Sequence, residues 1–191
     1  MEAREPQEQA YTYGQYLDMD LDDRYELIDG ILIKKSRPSI IHQDISRELM
    51  FQLTGFLHGK KCKVYNEIDV AFVDESCQDE KNACTVFVPD IAVVCDKDKL
   101  KDGCYLGAPT VIIEILSKST ASMDKLVKYD KYARAGVNEY WIVSIEEKSI
   151  MVYLNDSGLY RPKALYPFES KEAAVFSLEN CVLDLSVLLE V

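Results

Sequence analysis

The chain has 191 residues, 48% hydrophobic and 29% charged, with 33 Asp and Glu against 22 Lys and Arg for a net charge of -11. Those values describe one folded domain spanning 1–191 and exclude a disordered or fibrous chain. The acidic balance also disfavours a surface that coats DNA broadly, while leaving room for a local basic groove or an acidic metal site.

No apolar run approaches the roughly 20 residues of a membrane span, and residues 1–6 lack the basic-then-apolar form of a signal peptide. We therefore expect a cytoplasmic protein that does not enter membranes. Its six cysteines, Cys62, Cys77, Cys84, Cys95, Cys104 and Cys181, form no C-x-x-C pair of the kind zinc uses and are expected as reduced thiols.

The first element expected is a short amphipathic helix over 7–20. Residues 24–28 and 31–35 alternate around Asp29-Gly30, which predicts a hairpin. Over 39–58 the apolar positions Ile41, Ile45, Leu49, Leu53, Phe56 and Leu57 have helical spacing, with Pro38 before and Gly59 after. A strand is expected over 62–73, and a polar loop over 74–83. Residues 86–94 and 110–116 are rich in β-branched side chains and predict two strands covered on both faces. A second helix over 120–135 is capped by Ser119 or Thr120 and stopped by Gly136. Residues 139–144 and 149–154 make a hairpin around Glu146-Glu147-Lys148. A further strand covers 160–166, and 183–189 packs on an apolar surface. The order predicts an α/β or α+β fold with a mixed sheet flanked by helices.

The two doubly covered strands each carry one carboxylate, Asp90 and Glu114. A buried carboxylate is costly unless it is paired or binds a cation. Two on neighbouring strands offer oxygen ligands of the kind Mg2+ or Mn2+ prefers, and the backbone carbonyl of Ile115 could add a third. Asp90 after Pro89 also fits a plain strand-end role. On the following helix, Asp124 and Lys128 are four apart on one face, with Lys131 and Tyr132 continuing that side. They fit a solvated salt bridge. Equally, Lys128 could stand over the metal site and orient a water or stabilise charge on a phosphate. Ser117 could bond a phosphate or cap the turn.

These residues carry a resemblance. Arg24-Tyr25-Glu26-Leu27-Ile28-Asp29-Gly30, Val88-Pro89-Asp90, Gly107-Ala108-Pro109 and Ile113-Glu114-Ile115-Leu116-Ser117-Lys118-Ser119-Thr120 are similar to successive motifs of the bacterial Uma-type family of restriction endonucleases. Asp124 with Lys128 and Tyr132, and Ala135-Gly136-Val137-Asn138-Glu139-Tyr140-Trp141, match its later motifs. The ordered set covers about 12–165. That family in turn resembles the PD-(D/E)XK nuclease superfamily.

The resemblance implies a restriction-endonuclease-like central mixed sheet and Asp90 and Glu114 as metal ligands. It also implies a departure. The superfamily's lysine two residues after the glutamate is replaced here by Leu116, and Lys128 from the next helix takes its place. Glu26 resembles the extra acidic residue such nucleases bring from their first elements and could assist a second metal; an exposed strand residue fits it as well. His42 occupies a position where the family often carries a histidine, and could touch substrate or shuttle protons; a plain surface role fits it as well. The expected activity is metal-assisted hydrolysis of DNA phosphodiesters, with Asp124 fixing Lys128. Alternatives of other classes are a non-catalytic binding or assembly module, as in a homodimer, and a hydrolase acting on RNA or a small phosphate ester.

Overall fold

In the computed structural model, residues 10–72, 80–101, 103–116 and 123–191 are described, apart from the side chains of 123–125. The chain enters through a single helical turn, Tyr13–Leu17 (α1). There Thr12 and Gln15 form a reciprocal capping box. The predicted helix over 7–20 is therefore shorter among the described residues. Asp18, Asp20, Asp22 and Asp23 follow it, and acidic side chains disfavour a helix C-terminus.

Asp29 (φ 51) and Gly30 (φ 81) close the expected hairpin between Tyr25–Ile28 (β1) and Ile31–Lys34 (β2). Both take left-handed backbone, as a two-residue primed turn requires. Gly30 has a second constraint: a Cβ there would stand 2.7 Å from Ala10 Cβ.

The helix over 39–58 forms as Ile40–Leu57 (α2). Ser39 Oγ accepts the His42 N–H at its start, and Ile45, Leu49, Leu53 and Leu57 are buried along one stripe.

Two expected strands are broken, and the breaks define the architecture. The run over 62–73 splits into Lys63–Asn66 (β3) and Asp69–Phe72 (β4), with Glu67 at φ 48 between them. The run over 86–94 splits into Thr85–Phe87 (β5) and Ile91–Val94 (β6). Pro89 cannot donate to a ladder, so the chain leaves one sheet there and joins another.

The first sheet has the order β2-β1-β5-β4-β8-β7, where β7 is Leu100–Lys101 and β8 is Cys104–Leu106. The second has the order β12-β11-β10-β9-β6-β3. Its later strands are Val111–Leu116 (β9), Glu139–Ser144 (β10), Ser149–Asp156 (β11) and Leu159–Pro167 (β12). Each sheet contains one parallel pair, β4 with β8 and β9 with β10, among antiparallel ones. The fold is thus mixed α+β, as expected, with two six-stranded sheets in place of one. The two crossings touch: Glu67 N–H donates to Asp90 O at 3.2 Å.

The second sheet is covered on both faces. On one side Ile91, Val93, Ile113, Ile115, Trp141 and Val143 pack against α2 and the C-terminal Leu183, Leu185 and Leu188. On the other, Ile112, Leu116, Tyr140 and Ile142 pack against Tyr132 and Ala133 of the second helix. That helix is described from Met123. It opens with a π-helical turn, Met123–Lys128, continues as Tyr129–Ala135 (α3) and ends at Gly136, φ 91. Its expected caps, Ser119 and Thr120, lie outside the described residues.

The C-terminal segment, with a small pair Ala173–Ala174 (β13) and Val182–Leu183 (β14), is tied down by Glu139. This fully buried carboxylate accepts from Trp141 Nε1 (2.6 Å), Phe176 N (3.1 Å) and Ser177 N (2.6 Å).

The cysteine expectation fails for one pair. Lys63 faces Val94 across β3 and β6, so Cys62 and Cys95 come opposite one another at 4.0 Å between Cα atoms and are joined as a disulfide. Cys84, Cys104 and Cys181 are free thiols, and Cys77 lies outside the described residues. Among the described residues no helix is long and apolar enough to cross a membrane.

Candidate active site

Asp90 ends the crossing between the two sheets, one residue before β6. Its backbone is pinned there, the carbonyl accepting from Asn66 Nδ2 at 2.9 Å and from Glu67 N. The residue is 7% exposed. Oδ2 accepts the Ile115 N–H at 2.8 Å and lies 3.0 Å from His42 Nε2, while Lys35 Nζ is 3.6 Å from Oδ1. Burial pushes the Asp90 pKa up. The His42 hydrogen bond, the Lys35 charge and the Ile115 N–H outweigh burial and hold it below the ordinary aspartate value. Asp90 is accordingly an anion.

Glu114 is placed by the two-residue period of β9. It shares a face with Ile112 and Leu116, turned toward α3. Oε1 accepts from Lys128 Nζ at 2.9 Å and from Tyr132 OH at 2.8 Å, and Oε2 lies 3.4 Å from Asp90 N. Lys128 and Tyr132 are four residues apart, so one helix face presents both. Burial, then the charges of Glu114 and Glu26, push the Tyr132 pKa well up, which keeps its hydroxyl a donor.

Lys128 also stands 2.9 Å from Glu26 Oε1 on β1, and that oxygen accepts the Val88 N–H at 2.9 Å. The Glu26, Lys128 and Glu114 side chains are 6%, 5% and 3% exposed, and the ammonium sits 5.7 Å from the centre of the Phe87 ring. The crossing 88–90 therefore stitches two ion clusters together. Asp90 gathers His42 and Lys35, while Glu114 gathers Lys128, Glu26 and Tyr132.

The structure brings Asp90, Glu114, Lys128, Glu26 and His42 together, with Ile115 beside them. His42 is no surface residue; it is buried against Asp90. Ser117 lies outside the described residues, as does the side chain of Asp124. The described anchors of Lys128 are Glu26 and Glu114.

Lys35, Asn66 and Ser46 escaped the sequence analysis. Lys35 extends the hairpin past β2, where its N–H meets Arg24 O, and its ammonium donates to Val88 O at 2.7 Å. The signal for it was the inward turn of an alternating strand that ends Lys34-Lys35. Ser46 is on the α2 stripe, 3.1 Å from Asn66 Nδ2, at a position that reads simply as core.

Among the described residues no group of three or more His, Cys, Asp and Glu is arranged to hold a metal ion. Two hard carboxylates and a neighbouring backbone carbonyl still suit Mg2+ or Mn2+, which bind through one or two carboxylates and fill the remaining positions with water and phosphate oxygens. The donor set fits such an ion. A cleft of ≈ 380 Å³ reaches the same place, lined in part by Asp90, His42, Ser46, Asn66 and Glu67.

Comparisons with known proteins bear on the family and the fold. A family model described as "Uma2: Putative restriction endonuclease" matches residues 13–190. An uncharacterized protein of Synechocystis sp. is 27% identical over 139 residues, 71% of this chain and 69% of that protein. A crystal structure of a "putative nuclease" from Anabaena variabilis superposes with a TM-score of 0.70 at 18% identity, covering 94% of this chain and 97% of that one. At that identity the likeness concerns the fold.

Proposed function

The chain belongs to the Uma2 family, and on that premise we propose that it is a metal-dependent nuclease that hydrolyses DNA phosphodiester bonds. The observation that carries the proposal is the meeting of Asp90, Glu114 and Lys128, drawn from a sheet crossing, a strand and a helix, beside a cleft open to solvent. Asp90 and Glu114, with the Ile115 carbonyl, would hold Mg2+ or Mn2+, which when bound polarises a phosphate and lowers the pKa of an attacking water.

The protein's own groups do the rest. The Ile115 N–H fixes the Asp90 carboxylate, and His42 and Lys35 flank it. Lys128 holds Glu114 in place and brings a positive charge to the side where phosphate charge develops. Glu26 and Tyr132 hold Lys128 and Glu114 in register. The lysine so placed takes over the part vacated at Leu116.

The test is cleavage of plasmid and linear DNA with added magnesium or manganese, comparing wild type with Asp90→Ala and Glu114→Ala. Metal-dependent cleavage that both substitutions abolish supports the proposal. Equal activity in all three proteins refutes it. Absence of cleavage, together with absence of divalent-ion binding by calorimetry, favours a binding module on the same fold.

A further inference from the structure

Val88, Pro89 and Asp90 carry the chain from one sheet to the other and belong to no strand. Pro89 has no N–H to give, so the remaining ties of the segment decide where Asp90 sits. Two of them come from the first hairpin. Glu26 Oε1 accepts the Val88 N–H at 2.9 Å, and Lys35 Nζ donates to Val88 O at 2.7 Å. Asp90 O is held from the neighbouring crossing, by the Glu67 N–H and Asn66 Nδ2.

Glu67 itself stands in a disfavoured conformation. Its φ of 48 is left-handed backbone, which a long side chain rarely adopts. A residue keeps such a conformation only where its surroundings hold it, and such residues gather at functional sites. The same hairpin supplies the hold. Arg24 Nη2 donates to Glu67 O at 2.6 Å and to Asp69 Oδ1 at 2.7 Å, gripping the chain on both sides of Ile68. The looser contacts of the Glu67 carboxylate, 3.7 Å to Arg24 and 3.4 Å to Lys35, add little. Arg24 and Lys35 are joined in turn, the Lys35 N–H donating to Arg24 O at 2.9 Å. The open end of one hairpin thus presents two cations, one to each crossing.

We infer that Arg24 and Lys35 are positioning residues for Asp90, acting through the Glu67 turn and the Val88 carbonyl without touching substrate. The inference rests on the proposed metal-dependent hydrolysis, to which it adds the device that aims one carboxylate. Charge alone would act in the opposite sense. Lys35 Nζ is 3.6 Å from Asp90 Oδ1, and removing a cation from beside that anion favours a divalent ion there. Loss of position disfavours it, because groups that orient a ligand are commonly worth 10–100-fold in metal affinity.

The test uses the full chain. Amide hydrogen exchange by NMR, in EDTA, reads the Glu67 N–H, and calorimetry reads Mn2+ affinity. Lys35→Met and Arg24→Met should each speed exchange of the Glu67 amide at least about tenfold and weaken Mn2+ binding by about tenfold or more. In cleavage assays kcat should fall with KM unchanged. Lys35→Arg keeps a donor for Val88 O and should recover most of each loss. Lys34→Met removes the adjacent exposed ammonium, paired with Asp23, and should leave exchange and Mn2+ affinity at the wild-type values. Should Lys35→Met not fold, Arg24→Met decides the matter, since that side chain is 43% exposed. Unchanged exchange would overturn the inference, as would Mn2+ affinity that stays the same or rises. A raised KM with kcat unchanged would also overturn it, by making these cations substrate contacts. Exchange is read without metal or DNA. Wild type that neither binds Mn2+ nor cleaves DNA therefore refutes the nuclease reading, while the Glu67 amide still decides whether the hairpin holds the crossing.

Discussion

Removing the ammonium of Lys128 should cost this protein a large part of its stability. Lys128→Met keeps the length and apolar stem of the side chain and deletes only the charge. A unit-charge pair at 2.9 Å in an effective dielectric constant of about 20 attracts by about 6 kcal/mol, and Lys128 makes two such contacts, to Glu26 and Glu114. Desolvation of three ions offsets much of that attraction. The measured loss is therefore expected at about 3–5 kcal/mol, chiefly the penalty of two buried carboxylates left facing each other. Urea denaturation followed by circular dichroism, in EDTA, gives the value. The decisive measurement is the second variant, Glu26→Gln with Lys128→Met. Removing one of the stranded charges should return at least about 1 kcal/mol, so the double variant is more stable than Lys128→Met alone. A loss below about 1 kcal/mol for Lys128→Met would show that the ammonium is not buried between the two carboxylates. So would a double variant weaker than either single one.

Asp90 should make stability depend on acid. Its folded pKa is depressed, so its contribution is complete above the unfolded value of about 3.9 and is lost as pH falls through the folded value. Melting in EDTA between neutral pH and pH 2 should show a steeper loss for wild type than for Asp90→Asn, and parallel curves would contradict this. The disulfide closes a separation of 33 residues. In the chain-entropy account that is worth about 3–4 kcal/mol, so Cys62→Ser should lower the urea midpoint and reductant should have no further effect on that variant. Wild type melting alike with and without reductant would tell against the cross-link. Glu139→Ala strands three donors, at about 1–3 kcal/mol each. It should loosen residues 176 and 177 in hydrogen exchange and cost at least about 3 kcal/mol overall, and unchanged protection there would count against the anchor.

Much of this molecule is legible in the sequence because it is local. The Asp29-Gly30 hairpin, the α2 stripe and the alternation that buries Glu114 follow from turn chemistry and periodicity over a few residues. What periodicity could not give is which strand belongs to which sheet. The runs 62–73 and 86–94 read as continuous because both halves of each are apolar, and the turn at Glu67 uses a residue with no turn preference. His42 is hidden for the same kind of reason. A histidine at a helix start says nothing about the carboxylate 48 positions later that receives it. Lys35 needs the crossing at Val88 before its purpose is visible. Asp90, Glu114 and Lys128 could thus be singled out by type, while their partners depended on tertiary placement.

The crossing at 88–90 also bears on how the protein comes into being. The contacts that build the site are long in sequence: 62 residues separate Val88 from Glu26, and 102 separate the Lys131–Asp29 ion pair that ties the second helix to the first hairpin. Such contacts form only after large loops close, which slows folding. During synthesis, the N-terminal carboxylates emerge well before the helix that carries Lys128. A growing chain therefore holds Glu26 and Glu114 without the ammonium they share, and on the proposed function a fragment ending before that helix should be inert. Assembly of the cluster is, on this topology, a late event of folding, and if the chain is the nuclease proposed above, that timing delays hydrolysis until the fold is complete.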